Sequence, residues 1–385
     1  MNKDFEANLL QTYAKYPLEI TKGEGSFVFD EKGNKYLDFY GGHAVTILGH
    51  CPPIVQEAIE RQVKEFIFYS NIVYSRPQVR LADLLVQDAP GDYQVFFMNS
   101  GAEANETALK ISRKFTQKGH IISFRNSFHG RSAFASAVTG IDSYRNFQPN
   151  FDELTSFAEF GNMTSVQDCF RPGETAAVIL EPIQSIGGAR KSSRDFYEEL
   201  GDFCKEKGIL LITDEVQTGL GRTGGEFYFS KKVKLEPDMI TLAKGIASGL
   251  PISAVLISEK IARTIKTGEY ATTFGGGALV CAAGVATVSA ILSKNFLDEV
   301  QNNADYLRGK LKQIKAVKSL HGEGFLVGLE LVKEDPDLIK NCLQEGLIIG
   351  SSYQKNIFRL LPPINISRSE IDQGVDFLSK VINSN

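Results

Sequence analysis

Short apolar runs recur along the middle of the chain, and each ends at a polar or small residue. The clearest are Tyr93-Gln94-Val95-Phe96-Phe97-Met98, Ile121-Ile122-Ser123-Phe124, Ala176-Ala177-Val178-Ile179-Leu180, Ile209-Leu210-Leu211-Ile212-Thr213, Met239-Ile240-Thr241-Leu242-Ala243 and Ala254-Val255-Leu256-Ile257. Runs that are unbroken rather than alternating predict strands buried on both faces. Between them, Thr107 to Phe115 and Asp195 to Lys207 carry helical spacing. Strands alternating with helices from 93 to 257 predict an α/β fold with a doubly wound, mainly parallel sheet.

The flanks read differently. Phe27-Val28-Phe29-Asp30 and Lys35-Tyr36-Leu37-Asp38-Phe39 enclose the turn Glu31-Lys32-Gly33-Asn34, a hairpin signal. The glycine-rich loop Gly41-Gly42-His43-Ala44-Val45 follows. Residues 53–67, started by Pro52-Pro53, and 78–87 have helical spacing. Residues 140–175 are weakly periodic and read as loop. Ala278 to Leu292 is small and apolar, a helix buried on most faces, and Asn295 to Ile314 is amphipathic. Strands at 328–332 and 357–361 and helices at 336–345 and 369–382 predict a smaller α+β unit. The expected organisation is an N-terminal segment over 1–45 that joins the small domain, a large domain over 46–290 and a C-terminal small domain over 291–385.

A chain of 385 residues suits two domains, and its 43% hydrophobic content supplies a sizeable core. The net charge of −4 gives no basic footprint for nucleic acid. The apolar runs are far too short to span a membrane. The start Met1-Asn2-Lys3-Asp4-Phe5-Glu6 has no apolar signal core. Cys51, Cys169, Cys204, Cys281 and Cys342 are scattered and form no C-x-x-C pair, which predicts reduced thiols in a cytoplasmic protein. The five histidines lack ligand spacing, so no metal site is expected.

Candidate chemistry gathers where the runs end, since ligands of open α/β sheets sit outside the carboxyl ends of the strands. One run ends in Asp214-Glu215, another in Lys244-Gly245. A buried lysine loses proton affinity and becomes a usable nucleophile and base. Lysine and aspartate together are the pair that pyridoxal phosphate needs; a structural aspartate and a rim lysine are the plainer reading. After Met98, Asn99-Ser100-Gly101-Ala102-Glu103-Ala104-Asn105-Glu106 makes a small-residue turn into a helix, suited to a phosphate. A simple N-cap at Asn99 or Ser100 fits equally. Asn126-Ser127-Phe128-His129-Gly130-Arg131 offers a stacking ring, a loop histidine and an arginine for a carboxylate or for solvent. Gly219-Leu220-Gly221-Arg222-Thr223-Gly224 matches a dinucleotide fingerprint, but no helical pattern opens within it, and Asp214 and Glu215 would repel a pyrophosphate.

Taken together and in order, these stretches resemble the class III (ω-amino acid) pyridoxal phosphate aminotransferases from about residue 15 onward. The motifs are Asn99-Ser100-Gly101-Ala102-Glu103-Ala104-Asn105, Ser127-Phe128-His129-Gly130-Arg131, Asp214-Glu215-Val216-Gln217-Thr218-Gly219, Thr241-Leu242-Ala243-Lys244-Gly245, Thr272-Thr273-Phe274-Gly275-Gly276 and Arg359-Leu360-Leu361-Pro362-Pro363. The resemblance implies a fold type I transferase and pyridoxal 5'-phosphate as cofactor. Lys244 would attach the cofactor and shuttle a proton; Asp214 would face the ring nitrogen and Gln217 the ring hydroxyl. Phe128 and Val216 would cover the two ring faces. Ser100, Gly101 and Ala102 would donate to the phosphate, and Thr273 would reach the phosphate of the neighbouring subunit in a homodimer. Arg131 and Arg359 would grip substrate carboxylates, with His43 nearby. The implied reaction moves the ω-amino group of N-acetylornithine (or N-succinylornithine) to 2-oxoglutarate, giving glutamate and the N-acyl-glutamate semialdehyde, in arginine biosynthesis. Ornithine, 4-aminobutyrate and aminomutase chemistries are alternatives of the same fold; a nicotinamide-dependent dehydrogenase and a non-catalytic binding protein are rivals of other classes.

Two positions depart from the family pattern. Many relatives carry a second glutamate after the Glu-Pro-Ile-Gln motif, paired with the arginine at the place of Arg359. Here Glu181-Pro182-Ile183-Gln184-Ser185-Ile186 puts Ile186 there. An apolar side chain cannot neutralise Arg359, so an open Arg359 and a donor with an extra carboxylate, such as N-succinylornithine, are expected. Gly277-Ala278 stands where relatives often have Asn-Pro, which predicts a local backbone change.

Overall fold

A computed structural model of the chain describes residues 8–145 and 152–383. The polar start Met1 to Glu6 and residues 146–151 of the expected loop lie outside the described residues. The large sheet has seven strands, in the order Tyr93–Met98, Ser253–Ser258, Met239–Leu242, Leu210–Asp214, Thr175–Leu180, His120–Phe124 and Thr155–Ala158. Alternate side chains of one strand enter different cores: Ile179 and Ile212 face one cluster, Val178, Leu180 and Leu211 another. That two-sided burial is why the runs do not alternate in polarity. Each such side chain contributes about 1.5–3 kcal/mol when withdrawn from water.

The sheet is mainly parallel, as expected, with one strand reversed. Ser253–Ser258 runs antiparallel to both neighbours. The connection from Leu242 to Ser253 holds only the turn Lys244–Ala247, too short for the crossover that a parallel neighbour requires. The stretch expected as loop contains the edge strand Thr155–Ala158 and the helix Met163–Cys169, both too short to display a period. The helix expected from Thr107 starts earlier and spans Gly101–Thr116. Ser100 and Glu103 form a reciprocal capping box at its start, so most of the expected turn is helix.

Two smaller sheets complete the fold. The N-terminal hairpin and the exposed strand Ile20–Glu24 form one with Leu347–Ile348, which pairs in parallel with Lys35–Asp38. Val317–Glu323, Leu326–Leu331, Ile357–Leu360 and Gly350–Ser351 form the other. The chain's beginning and end are thus hydrogen-bonded together. Helix Arg368–Asn383 seals the junction, with Gly374 lying flat on the fully buried Phe39 ring. Ala278–Ile291 packs between the helices Pro53–Glu65 and Arg76–Gln87.

Gly374→Ala drives a methyl group into Phe39, and the expected outcome is a loss of about 2 kcal/mol. A urea titration checks it: the midpoint falls at constant slope, and an unchanged midpoint would contradict this packing.

Candidate active site

In register, Asp214 pairs with Thr241, so the ends of two parallel strands stand side by side, and Lys244 follows just past the second. Asp214 is buried and every contact addresses its charge. Asn105 Nδ2 donates to its Oδ2 at 2.7 Å, His129 Nδ1 lies 2.8 Å from the same oxygen, and Val216 N–H donates to Oδ1 at 3.1 Å. Asn105 is held in turn, because Thr241 Oγ1 donates to its Oδ1 at 2.7 Å and its Nδ2 also reaches the His129 carbonyl at 2.7 Å. A buried carboxylate needs such partners. The histidine expected as a satisfied loop residue is instead fully buried against Asp214, and its Nε2 has no partner among the described residues.

Lys244 opens its turn with φ of +44°, a conformation costly for any side chain but glycine. Burial pushes its ammonium down to about 8; Asp214 and Glu181 oppose that shift and Arg359 adds to it. Glu181 ends the neighbouring strand Thr175–Leu180, and burial raises its carboxyl to about 7. Its Oε1 accepts the Phe128 N–H at 2.7 Å and its Oε2 the Ser185 N–H at 3.4 Å, so one side chain spaces two loops.

The N-terminus of helix Gly101–Thr116 points at the same space. The first N–H groups of a helix have no intrahelical partner, and here they belong to Gly101 and Ala102. A Cβ on Gly101 would press on the Val216 methyls at 3.2 Å. Gly130, at φ +140°, brings the Phe128 loop against Ala102, where a Cβ would come within 2.7 Å. Phe128 packs edge-on to Tyr144 at 5.7 Å, and the Arg131 guanidinium lies 3.6 Å from the Tyr144 ring. Gln217 directs Nε2 weakly to the His43 carbonyl at 3.5 Å, and its Oε1 is buried without a partner among the described residues.

On the far wall Arg359 is buried, and burial lowers its proton affinity. Its hydrogen-bond acceptors are the Ser351 carbonyl at 2.6 Å, Ser185 Oγ at 3.3 Å and Tyr40 Oη at 3.0 Å. The loop expected at Gly41–Val45 is a left-handed turn: Gly41, Gly42, His43 and Ala44 all have φ between 54° and 65°. Its two non-glycine residues cost roughly 1–2 kcal/mol each.

These groups line one cavity of about 840 Å³. It brings together Lys244, Asp214, Ser100, Gly101, Ala102, Phe128, Val216, Gln217, Arg131, Arg359 and His43. Thr273 is the exception: it is exposed on the loop before helix Ala278–Ile291 and does not line this cavity. Sequence reasoning passed over Glu181, Asn105, Tyr40 and Tyr144. Glu181 carried the same signal as Asp214, a carboxylate at a strand end. The glycine motif at 219–224 opens no helix; Arg222 is buried and donates to the Pro362 carbonyl, tying that loop to the chain beyond Arg359. Among the described residues no group of three or more His, Cys, Asp or Glu is placed to hold a metal ion.

The arrangement provides a nucleophilic amine, a buried anion facing it, N–H donors for a phosphate and cations for carboxylates. The neutral amine is the reactive form. In cofactor-free protein, labelling of Lys244 by a small amine-directed reagent, followed by mass spectrometry, should therefore rise with pH through about 8. A midpoint near the ordinary lysine value of 10.5 would contradict the site's electrostatics.

Known proteins align with this geometry along nearly the whole chain. The family model described as aminotransferase class-III matches residues 10–382. The acetylornithine aminotransferase of Aquifex aeolicus is 38% identical over 97% of this chain and 99% of its own. That of Streptococcus mutans is 39% identical over 97% and 98%. Among solved structures, the ornithine aminotransferase of Toxoplasma gondii superposes with a TM-score of 0.92 at 26% identity, over 100% of this chain and 95% of the other. The N-acetylornithine aminotransferase of Stenotrophomonas maltophilia gives 0.84 at 29% identity, over 97% of each. With a lysine and an aspartate at adjacent strand ends and the family's pattern from one end to the other, the chain belongs to the class-III aminotransferases.

Proposed function

We propose that the protein is an N-acyl-ornithine aminotransferase of arginine biosynthesis, using pyridoxal 5'-phosphate and passing the ω-amino group to 2-oxoglutarate. One observation carries the reading: the enclosed Lys244 and the buried Asp214 lie at neighbouring strand ends in a cavity that also holds two arginines. The names of the relatives support an acyl-ornithine donor.

The residues present fit the cofactor. Gln217 Oε1, buried and unpartnered, suits the ring hydroxyl. The glycine at 101 leaves the helix N-terminus open to a phosphate, with the Ser100 hydroxyl and the N–H groups of Gly101 and Ala102 as donors. Bound pyridoxal phosphate supplies an electron sink for charge developing on the substrate carbon. Lys244 Nζ would attach the cofactor and move the proton at that carbon. Asp214, held by Asn105 and His129, keeps its negative charge toward the ring nitrogen. Phe128 and Val216 would flank the ring, and Arg131, Arg359 and His43 would orient substrate. Thr273 serves the phosphate site of a second copy in a homodimer. The exposed apolar side chains Ile67, Tyr69, Ile72, Tyr74 and Phe274 around its loop support that assembly. The free thiols of all five cysteines support a cytoplasmic setting.

One observation favours a dicarboxylate donor. The hydrogen-bond acceptors around Arg359 are all neutral, and Ile186 lines the cavity beside them. Its charge is available to a carboxylate in both half-reactions, as N-succinylornithine would provide.

The purified protein should show a visible cofactor band that Lys244→Ala abolishes, with turnover down by about 10²–10⁴. A protein colourless after incubation with pyridoxal phosphate would overturn the reading. Arg359→Met should raise KM for 2-oxoglutarate about 10- to 100-fold, the loss of charge-assisted hydrogen bonds. A kcat/KM comparison across N-acetylornithine, N-succinylornithine, ornithine and 4-aminobutyrate decides the donor. A strong acetyl preference removes the dicarboxylate reading, and turnover of ornithine or 4-aminobutyrate alone removes the acyl-ornithine reading.

A further inference from the structure

The left-handed turn does something specific with the two aromatic side chains at its ends. Ala44 N–H donates to the Tyr40 carbonyl at 2.9 Å and Val45 N–H to that of Gly41 at 2.8 Å, closing the turn in the unfavoured hand. At its entrance, Asp38 Oδ1 accepts the N–H groups of Tyr40 and Gly41 at 2.8 and 2.9 Å. The result brings the Tyr40 and His43 rings together at a 55° tilt, with centroids 4.7 Å apart, and sets Tyr40 Oη 2.6 Å from His43 Nδ1. Tyr40 Oη is also 3.0 Å from Arg359 Nη2.

The atoms fix one hydrogen bond of this chain and place the other. A guanidinium has only donors, so Tyr40 Oη accepts from Arg359. The single phenolic proton is then free for His43, and Nδ1 at 2.6 Å is placed to accept it. A neutral imidazole that accepts at Nδ1 carries its own proton on Nε2. The ring stays neutral for independent reasons: it is partly desolvated, and the charged groups acting on it, Arg359 and Lys244, are both cations, which together push its proton affinity down to about 4. Nε2 has no protein partner among the described residues, and His43 lines the cavity.

We propose that Tyr40 is a positioning residue that replaces a carboxylate beside Arg359 and fixes His43 as an Nε2–H donor, so that a substrate carboxylate meets Arg359 and His43 together. This rests on the reading that the cavity takes carboxylate substrates. A carboxylate beside Arg359 would have to leave before a substrate carboxylate entered; a phenol keeps the guanidinium in place without bonding a carboxylate to it. The strain of the turn accompanies this alignment, because His43 holds its ring against Tyr40 from a backbone at φ +65°.

Nitrogen-15 NMR on histidine-labelled holoenzyme reads the tautomer directly, with His43→Leu identifying the signal among the five histidines. The expected spectrum at neutral pH has His43 protonated on Nε2, with Nδ1 shifted as a hydrogen-bond acceptor. Tyr40→Phe should abolish that shift and raise KM for 2-oxoglutarate about tenfold, the loss of one aligned contact to a charged group. Its kcat should stay within about twofold on the same reasoning, with the cofactor band unchanged. His43→Leu should raise the same KM, and His43→Gln, which retains an N–H donor, should recover part of it. A ring protonated on Nδ1 or on both nitrogens in the wild type overturns the proposal, as does an unchanged KM in Tyr40→Phe and His43→Leu. A missing cofactor band would instead count against the proposed function, since the tautomer is read without turnover.

Discussion

Asp214 can keep a negative charge inside the protein because three donors from three segments meet its two oxygens: Asn105 from a helix, His129 from a loop and the Val216 N–H from its own turn. Much of the site's geometry is tied to that contact. Asn105 spans from Asp214 to Thr241, so the helix whose N-terminus faces the cavity is locked to two strands at once. His129 carries the Phe128 loop with it, and Glu181 holds that loop from the other side. A shift in any one segment would leave a buried carboxylate short of a partner, at the full cost of its desolvation.

Lys244 sits across from this anion in a backbone conformation that its residue type disfavours. The lysine is enclosed enough to lose much of its proton affinity, and Asp214 and Glu181 keep it from losing more. That balance places the amine where both protonation states are accessible near neutrality, as a group that must attack and then move protons requires. Strain recurs at Gly41 to Ala44, on the opposite wall. In both places it is borne by short segments clamped between rigid elements, the setting in which strained backbone persists.

Arg359 is the second constraint. A buried guanidinium without an acid partner is costly, and it is met here by hydroxyls and a carbonyl rather than by a counter-charge. The pocket therefore keeps a standing preference for anions. Arg131, exposed at the mouth and stacked on Tyr144, extends that preference outward.

Much of this was legible in the chain itself. Unbroken apolar runs mark doubly covered strands, and the polar residues that end them mark the crevice, so the sheet and the places of Asp214 and Lys244 follow from local pattern. The capping box at Ser100 and Glu103 was also legible, but its small residues read as a turn and hid the first part of the helix. Other features have no local signature. The reversal of Ser253–Ser258 depends on the length of a connection, the strand Thr155–Ala158 on an edge that only pairing defines, and Ile20–Glu24 on partners rather than on its own exposed residues. The burial of His129 against Asp214, and the contact of Arg359 with Tyr40, join residues far apart in the chain. A hydrogen bond between side chains is decided by where three elements converge, which no window of sequence contains. The apolar runs marked where the chemistry could lie and the resemblance of the motifs pointed to the residues; the tertiary structure alone decided which of them touch.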